Sequence, residues 1–166
     1  GYGYWGARNF FTFFCKKTLE WEYYKTNQSI VPNGIFDFNS SLIENHYYPK
    51  HVLRMPLENW PNPVLRSLTN INKDIYVRMQ GPSEFGVVGD AILKDWDRKN
   101  DLKKLKIPIL TIGGKYDTMD PKQMEWMSKE VQNGSYLHCP NGSHWSMYDD
   151  QENYFNGVTG FINALP

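Results

Sequence analysis

Two short apolar runs, Ile107–Gly113 (IPILTIG) and Ser135–Cys139 (SYLHC), bracket a stretch punctuated as a helix. This strand–helix–strand order constrains the fold more than any other feature of the chain. The first run is mostly β-branched and stops at Gly113-Gly114, which suits a buried parallel strand. Pro121 opens a helix over Pro121–Gln132, and Asn133-Gly134 closes it. A last helix is expected over Asn153–Leu165, with Tyr154, Val158, Phe161 and Leu165 on one face. The alternation implies an α/β fold with parallel strands. Two strands alone leave unpaired edges and little core. The sequence therefore reads as the C-terminal part of a larger α/β protein.

Residues 1–106 have a different texture. They are rich in aromatics and charges, and prolines at 32, 49, 56, 61, 63 and 82 break them into short pieces. Short helices are expected over Ala7–Tyr24, Ser40–Tyr48 and Pro61–Ile71, the last opened by proline in its first turn. The expected division is a mostly helical cap or lid at 1–106 and a C-terminal part of the α/β core at 107–166. Lys plus Arg and Asp plus Glu number 18 each, so the formal charge is zero. A neutral chain lacks the electrostatic footprint that phosphate backbones require, which argues against nucleic acid as a partner. No apolar run approaches the ~20 residues that span a bilayer, and no leader pattern is visible. No membrane partner and a cytoplasmic location are therefore expected. Cys15 and Cys139 form no CxxC, and a disulfide framework is not expected.

The chemically loaded positions follow the two strands. Asp117 lies on the loop after Ile107–Gly113, and His144 lies on the loop after Ser135–Cys139. Catalytic groups of open α/β sheets gather at that carboxyl edge. One helix and one strand separate the two residues, so both can meet there. An Asp beside a His is the orienting half of a nucleophilic triad: the carboxylate fixes the tautomer, and the imidazole takes the nucleophile's proton. The bland alternative is an Asp that caps the helix at Pro121 and an unrelated surface His.

These residues also carry a resemblance. KIPILTIGGKYDTMDP followed by CPNGSHWSMYDD is similar to the end of an α/β-hydrolase, in which the chain order is Ser, Asp or Glu, then His. More narrowly, the chain resembles the proline iminopeptidases (prolyl aminopeptidases), serine peptidases of the branch that includes the tricorn-associated aminopeptidases. The matching stretches are ENHYYPKHVLR at 44–54, WP at 60–61, IYVRMQGPSEFG at 75–86, LKDWDR at 93–98 and the two strand-end motifs. WEYYKTNQSIVP at 21–32 resembles the family's WE-containing cap segment more loosely. The resemblance implies a serine exopeptidase that releases N-terminal proline from small peptides, with Asp117 and His144 in the triad and no cofactor. It also implies that Glu44 and Glu84, with Glu22 as a third candidate, hold the substrate's charged amine. Such charge-assisted bonds are roughly twice as strong as neutral ones. Tyr47, Tyr48 and Phe85 either wall a pocket for a pyrrolidine ring or form cap core.

Where the family has a GxSxGG elbow and an HGGPG-type loop, this chain has neither. The near-miss Gly81–Gly86 (GPSEFG) has the wrong spacing and follows no sheet-type strand. The nucleophile is thus expected outside this chain, in an N-terminal half that would be its partner, and the chain alone is expected to be inactive. His46 and His51 are five apart, which fits no single-face metal pair. They and His138 read as structural, and no metal site is expected. A related amidase or esterase, or a non-catalytic interaction fragment, are the competing readings.

Overall fold

The computed structural model describes residues 43–81 and 90–166. The expected helix Ala7–Tyr24 lies outside the described residues. In chain order, a π-helical turn Ile43–Tyr47 runs into α1 (Tyr48–His51), followed by a 3-10 turn, Leu57–Asn59. Helices α2 (Asn62–Thr69) and α3 (Lys73–Gln80) come next, then 3-10 turns Ile92–Asp95 and Lys99–Lys104. Strand β1 (Ile109–Gly114), α4 (Pro121–Glu130), β2 (Gly134–Cys139), α5 (Ser146–Asp149) and α6 (Gln151–Asn163) complete the described chain. Every described element before β1 is helical.

The chain divides into two compact units. One contains Pro61–Arg98, and the other joins Asn39–Trp60 to Lys99–Pro166. Of the second unit's first stretch the described part, residues 43–60, groups with the strands. In the first unit, Pro63 sits in the opening turn of α2, where its missing N–H costs nothing. Asn72 caps α3 by accepting the Ile75 N–H at 3.1 Å. Gly81 ends that helix at φ 100°, a left-handed conformation that glycine adopts without strain. The residues before the GPSEFG stretch are therefore helix, whereas a nucleophile elbow needs a strand there.

In the second unit β1 and β2 pair in parallel, from Ile109 opposite Gly134 to Gly114 opposite Cys139. The first strand begins at Ile109 and not at Ile107. Pro108 has no N–H to give the ladder, and the Ile109 N–H makes the first bond, to the Asn133 carbonyl at 2.9 Å. α4 stops at Glu130, because Val131 turns extended and is buried. Gly134 permits the return: a Cβ there would lie 1.8 Å from the Ser128 carbonyl oxygen. α6 starts two residues earlier than its apolar pattern suggested. It lays Tyr154, Val158 and Phe161 half-buried, while Leu165 falls past the helix end and is exposed.

Among the described residues, Tyr47, Leu53, Trp60, Val131 and Cys139 form the buried apolar part of this unit. Trp60 stacks on Tyr48 with ring centroids 6.1 Å apart and meets the edge of Trp145 at 5.7 Å. Its indole N–H reaches the Met55 carbonyl at 3.1 Å, which satisfies the polar end of a buried ring. This aromatic stack ties the segment after α1 to the loop after β2. Cys139 is a free, fully buried thiol, and burial pushes its pKa up.

Candidate active site

Both strand-end loops leave the sheet at the same edge and are laced together by backbone bonds. The Lys115 N–H donates to the Cys139 carbonyl at 2.9 Å, and the Tyr116 N–H donates to the Gly142 carbonyl at 2.9 Å. They can approach this closely because Gly114 has no side chain. A Cβ there would stand 2.5 Å from the Ser143 carbonyl oxygen and 2.8 Å from that of Gly142.

At the tip of this junction His144 Nδ1 lies 2.9 Å from Asp117 Oδ1. A carboxylate accepts, so Nδ1 carries the proton and donates it. Nε2 is then left as the acceptor, which is the tautomer a general base requires. The Asp117 side chain is 10% exposed and that of His144 is 43% exposed, so the carboxylate is enclosed while the imidazole remains reachable. Asp117 Oδ1 also accepts from the Met119 N–H at 2.9 Å and from Thr118 Oγ1 at 3.0 Å, which fix the carboxylate's direction. The hydrogen bond from His144 to Asp117 raises the His144 pKa; burial opposes it, and the Asp117 charge adds to the rise. Tyr47, whose phenol is buried, has its pKa raised by that burial first and by the Asp117 charge second.

Asp117 does not cap α4. Asp120 does so, accepting the Lys122 N–H at 2.9 Å. The bland alternative for the pair therefore fails at its first half. Ser143, beside the imidazole in sequence, is fully buried. Its hydroxyl lies 2.8 Å from the Val52 carbonyl and against the Asp149 carboxylate, two acceptors for one proton. It is engaged as a donor and does not present a free nucleophile.

Sequence reasoning missed how the histidine loop is held. The His144 N–H donates to the His51 carbonyl at 3.1 Å, and the Trp145 N–H donates to the Val52 carbonyl at 2.9 Å. Asp149 accepts the Ser143 N–H at 3.0 Å and the Arg54 N–H at 3.1 Å. Asp150 stands at the start of α6 but leaves that helix uncapped and accepts the Asn141 N–H at 3.1 Å. The available signal was the pair Asp149-Asp150 just before a helix, which reads as ordinary first-turn charge. The contacts from residues 51–54 have no local sequence signal.

Among the other expected residues, His51 is buried, with Nδ1 2.8 Å from the Tyr116 carbonyl. His46 is exposed. His138 is exposed on β2, where Tyr136 Oη lies 3.3 Å from its Nδ1. Glu22, Glu84 and Phe85 lie outside the described residues, as does the side chain of Glu44, whose backbone belongs to the turn Ile43–Tyr47. Among the described residues no cluster of three or more His, Cys, Asp or Glu could hold a metal ion. No described helix is long and apolar enough to cross a membrane.

No protein-family model matches the chain. Curated relatives of the chain are named proline iminopeptidase, among them the following three. The one from Chitinophaga pinensis is 45% identical over 126 residues, covering 76% of this chain and 42% of its own length. That from Flavobacterium johnsoniae is 52% identical over 124 residues, 75% of this chain and 40% of its own. The archaeal protein from Saccharolobus solfataricus is 32% identical over 122 residues, 73% of this chain and 38% of its own. The chain thus spans about two fifths of the length of these relatives. Among solved structures, VinJ superposes with a TM-score of 0.66 at 23% identity, over 89% of this chain and 47% of that one. The proline iminopeptidase of Mycobacterium smegmatis gives 0.65 at 23% identity, over 86% of this chain and 45% of that one. The sequence relatives and the shared fold agree: the chain is a homologue of the proline iminopeptidases and corresponds to the C-terminal part of their α/β-hydrolase fold.

Proposed function

We propose that the chain contributes the cap and the Asp/His pair of a serine exopeptidase that releases proline from the N-terminus of small peptides. The observation that carries this reading is the 2.9 Å bond from His144 Nδ1 to Asp117 on an enclosed carboxylate, with the imidazole reachable. The nucleophilic serine and the oxyanion hole come from a segment outside this sequence. His144 Nε2 takes the serine hydroxyl proton as Oγ attacks the scissile carbonyl, and Asp117 stabilises the imidazolium. The imidazolium then protonates the leaving amine and the C–N bond breaks. In the second half the same nitrogen takes a proton from water, which attacks the acyl-serine, and returns it to the serine as proline leaves. The reaction needs no cofactor.

Glu44 and Glu84, with Glu22 as a third candidate, hold the substrate's ammonium by charge-assisted bonds. Removing a carboxylate that faces a buried ammonium costs about 2–5 kcal/mol, since the partner charge is left uncompensated. In the complete enzyme, Glu44→Ala and Glu84→Ala should depress kcat/KM for H-Pro anilides far more than for N-blocked or ester substrates. Equal loss on both classes, or none, contradicts the amine-clamp assignment and favours an amidase or esterase.

A further inference from the structure

One buried residue touches both strand-end loops and has no part in the proton transfers above. His51 ends α1, and its ring packs against Tyr47 with centroids 4.7 Å apart. A carbonyl oxygen only accepts, so the 2.8 Å contact to Tyr116 means that His51 Nδ1 donates. Tyr116 immediately precedes Asp117. On its other side the His51 carbonyl accepts the His144 N–H at 3.1 Å. A single residue therefore bonds the loop of the acid through its ring and the loop of the base through its backbone.

We propose that His51 is a positioning residue for the Asp117–His144 pair, fixing the acid loop and the base loop relative to each other. Backbone lacing between the loops occurs nearer the sheet, at Lys115 and Tyr116. His51 supplies the tie next to the reacting groups. Losing the donor leaves the Tyr116 carbonyl without that bond, and the acid loop can drift. A misplacement of about 1 Å in such a constellation costs on the order of 10²-fold in rate.

Among the described residues, Tyr47, held close to Asp117, and the two cations over the Tyr116 ring, Arg54 at 3.7 Å and Lys115 at 5.1 Å, are ionisable neighbours of this tie besides the pair itself. All three are unchanged in the variants that follow. The role rests on the function proposed above, but the test includes a readout that does not. In the complete enzyme, His51→Phe keeps a ring against Tyr47 and removes the donor, whereas His51→Asn keeps a donor near the Nδ1 position and removes the ring. Turnover of an H-Pro anilide is measured per active site counted with a fluorophosphonate label. The His144 titration is followed by NMR in the same proteins. His51→Phe should lower kcat by about 10–100-fold with KM little changed, and the His144 pKa should fall as its bond to Asp117 loosens. His51→Asn should recover most of both. Should Phe disturb the fold, His51→Ala is read in the same way. Variants that differ only in melting temperature, with kcat per site and the His144 titration unchanged, overturn the proposal. A wild-type enzyme that releases no proline overturns the function reading instead, and the His144 titration still decides the role of His51.

Discussion

At the residue scale the account depends on where one proton sits. The His144 pKa is raised by its bond to Asp117. The imidazole must be neutral to act as base, so kcat/KM should rise with pH through that raised value. Asp117→Asn should move this acid limb to lower pH while reducing kcat by roughly 10⁴-fold, the scale seen when a triad acid is replaced by its amide. A pH–rate profile of both proteins checks it, and an unmoved limb contradicts the coupling. Stability follows the same sign. A raised folded pKa stabilises fully below the unfolded value of about 6.5, and the benefit fades as pH climbs through the folded one. Melting temperatures measured across that window should show the wild type losing its advantage over His144→Gln as pH increases. Ser143 gives the opposite kind of residue. Ser143→Ala removes a buried hydroxyl set between Val52 and Asp149 and should cost about 1–3 kcal/mol in denaturant unfolding. It should not abolish turnover, as loss of a nucleophile would.

At the element scale, the site exists because two β–loop junctions can touch. Gly114→Ala would force a Cβ to 2.5 Å from the Ser143 carbonyl and 2.8 Å from that of Gly142, backbone atoms that yield only if the loops part. We expect a loss of roughly 1–3 kcal/mol in stability, the range for overpacking, together with a fall in kcat, since His144 is carried away from Asp117. Stability loss with full turnover would show that the pair tolerates the separation. Much of this scale was legible in the sequence. Apolar runs, Pro121 and the glycines announced β1, α4 and β2, and the strand-end rule brought Asp117 and His144 to one edge. Boundaries moved for local reasons: Pro108 has no N–H for the ladder and delayed β1, and Val131 turned extended into a buried position and ended α4 early. The support from residues 51–54 was not legible, because those bonds join distant parts of the chain, from 65 residues apart for His51–Tyr116 to 95 for Arg54–Asp149. Periodicity and turn chemistry report only on neighbours. Asp149 and Asp150 also reach six and nine residues back, to Ser143 and Asn141, but a pair of acids before a helix reads as ordinary first-turn charge.

At the scale of the whole molecule, the described sheet has two strands, and the matched relatives are more than twice as long as the matched stretch. The chain contains no GxSxGG elbow, and its Ser143 is committed elsewhere. Among the described residues no serine is positioned as a nucleophile for His144, and an imidazole without one, and without an oxyanion hole itself worth about 10²–10³-fold, offers water little help. The 166-residue chain by itself should therefore release no proline from an H-Pro anilide, as a fluorimetric assay of the purified chain would verify. The complete enzyme bears the central claim, that His144 acts as the base of a proline-releasing serine peptidase. The most direct measurement is kcat of His144→Ala on an H-Pro anilide, compared with wild type at equal folded concentration. Members of a triad act as a unit, so the account predicts a fall of about 10³-fold or more. A loss of only a few-fold would contradict it.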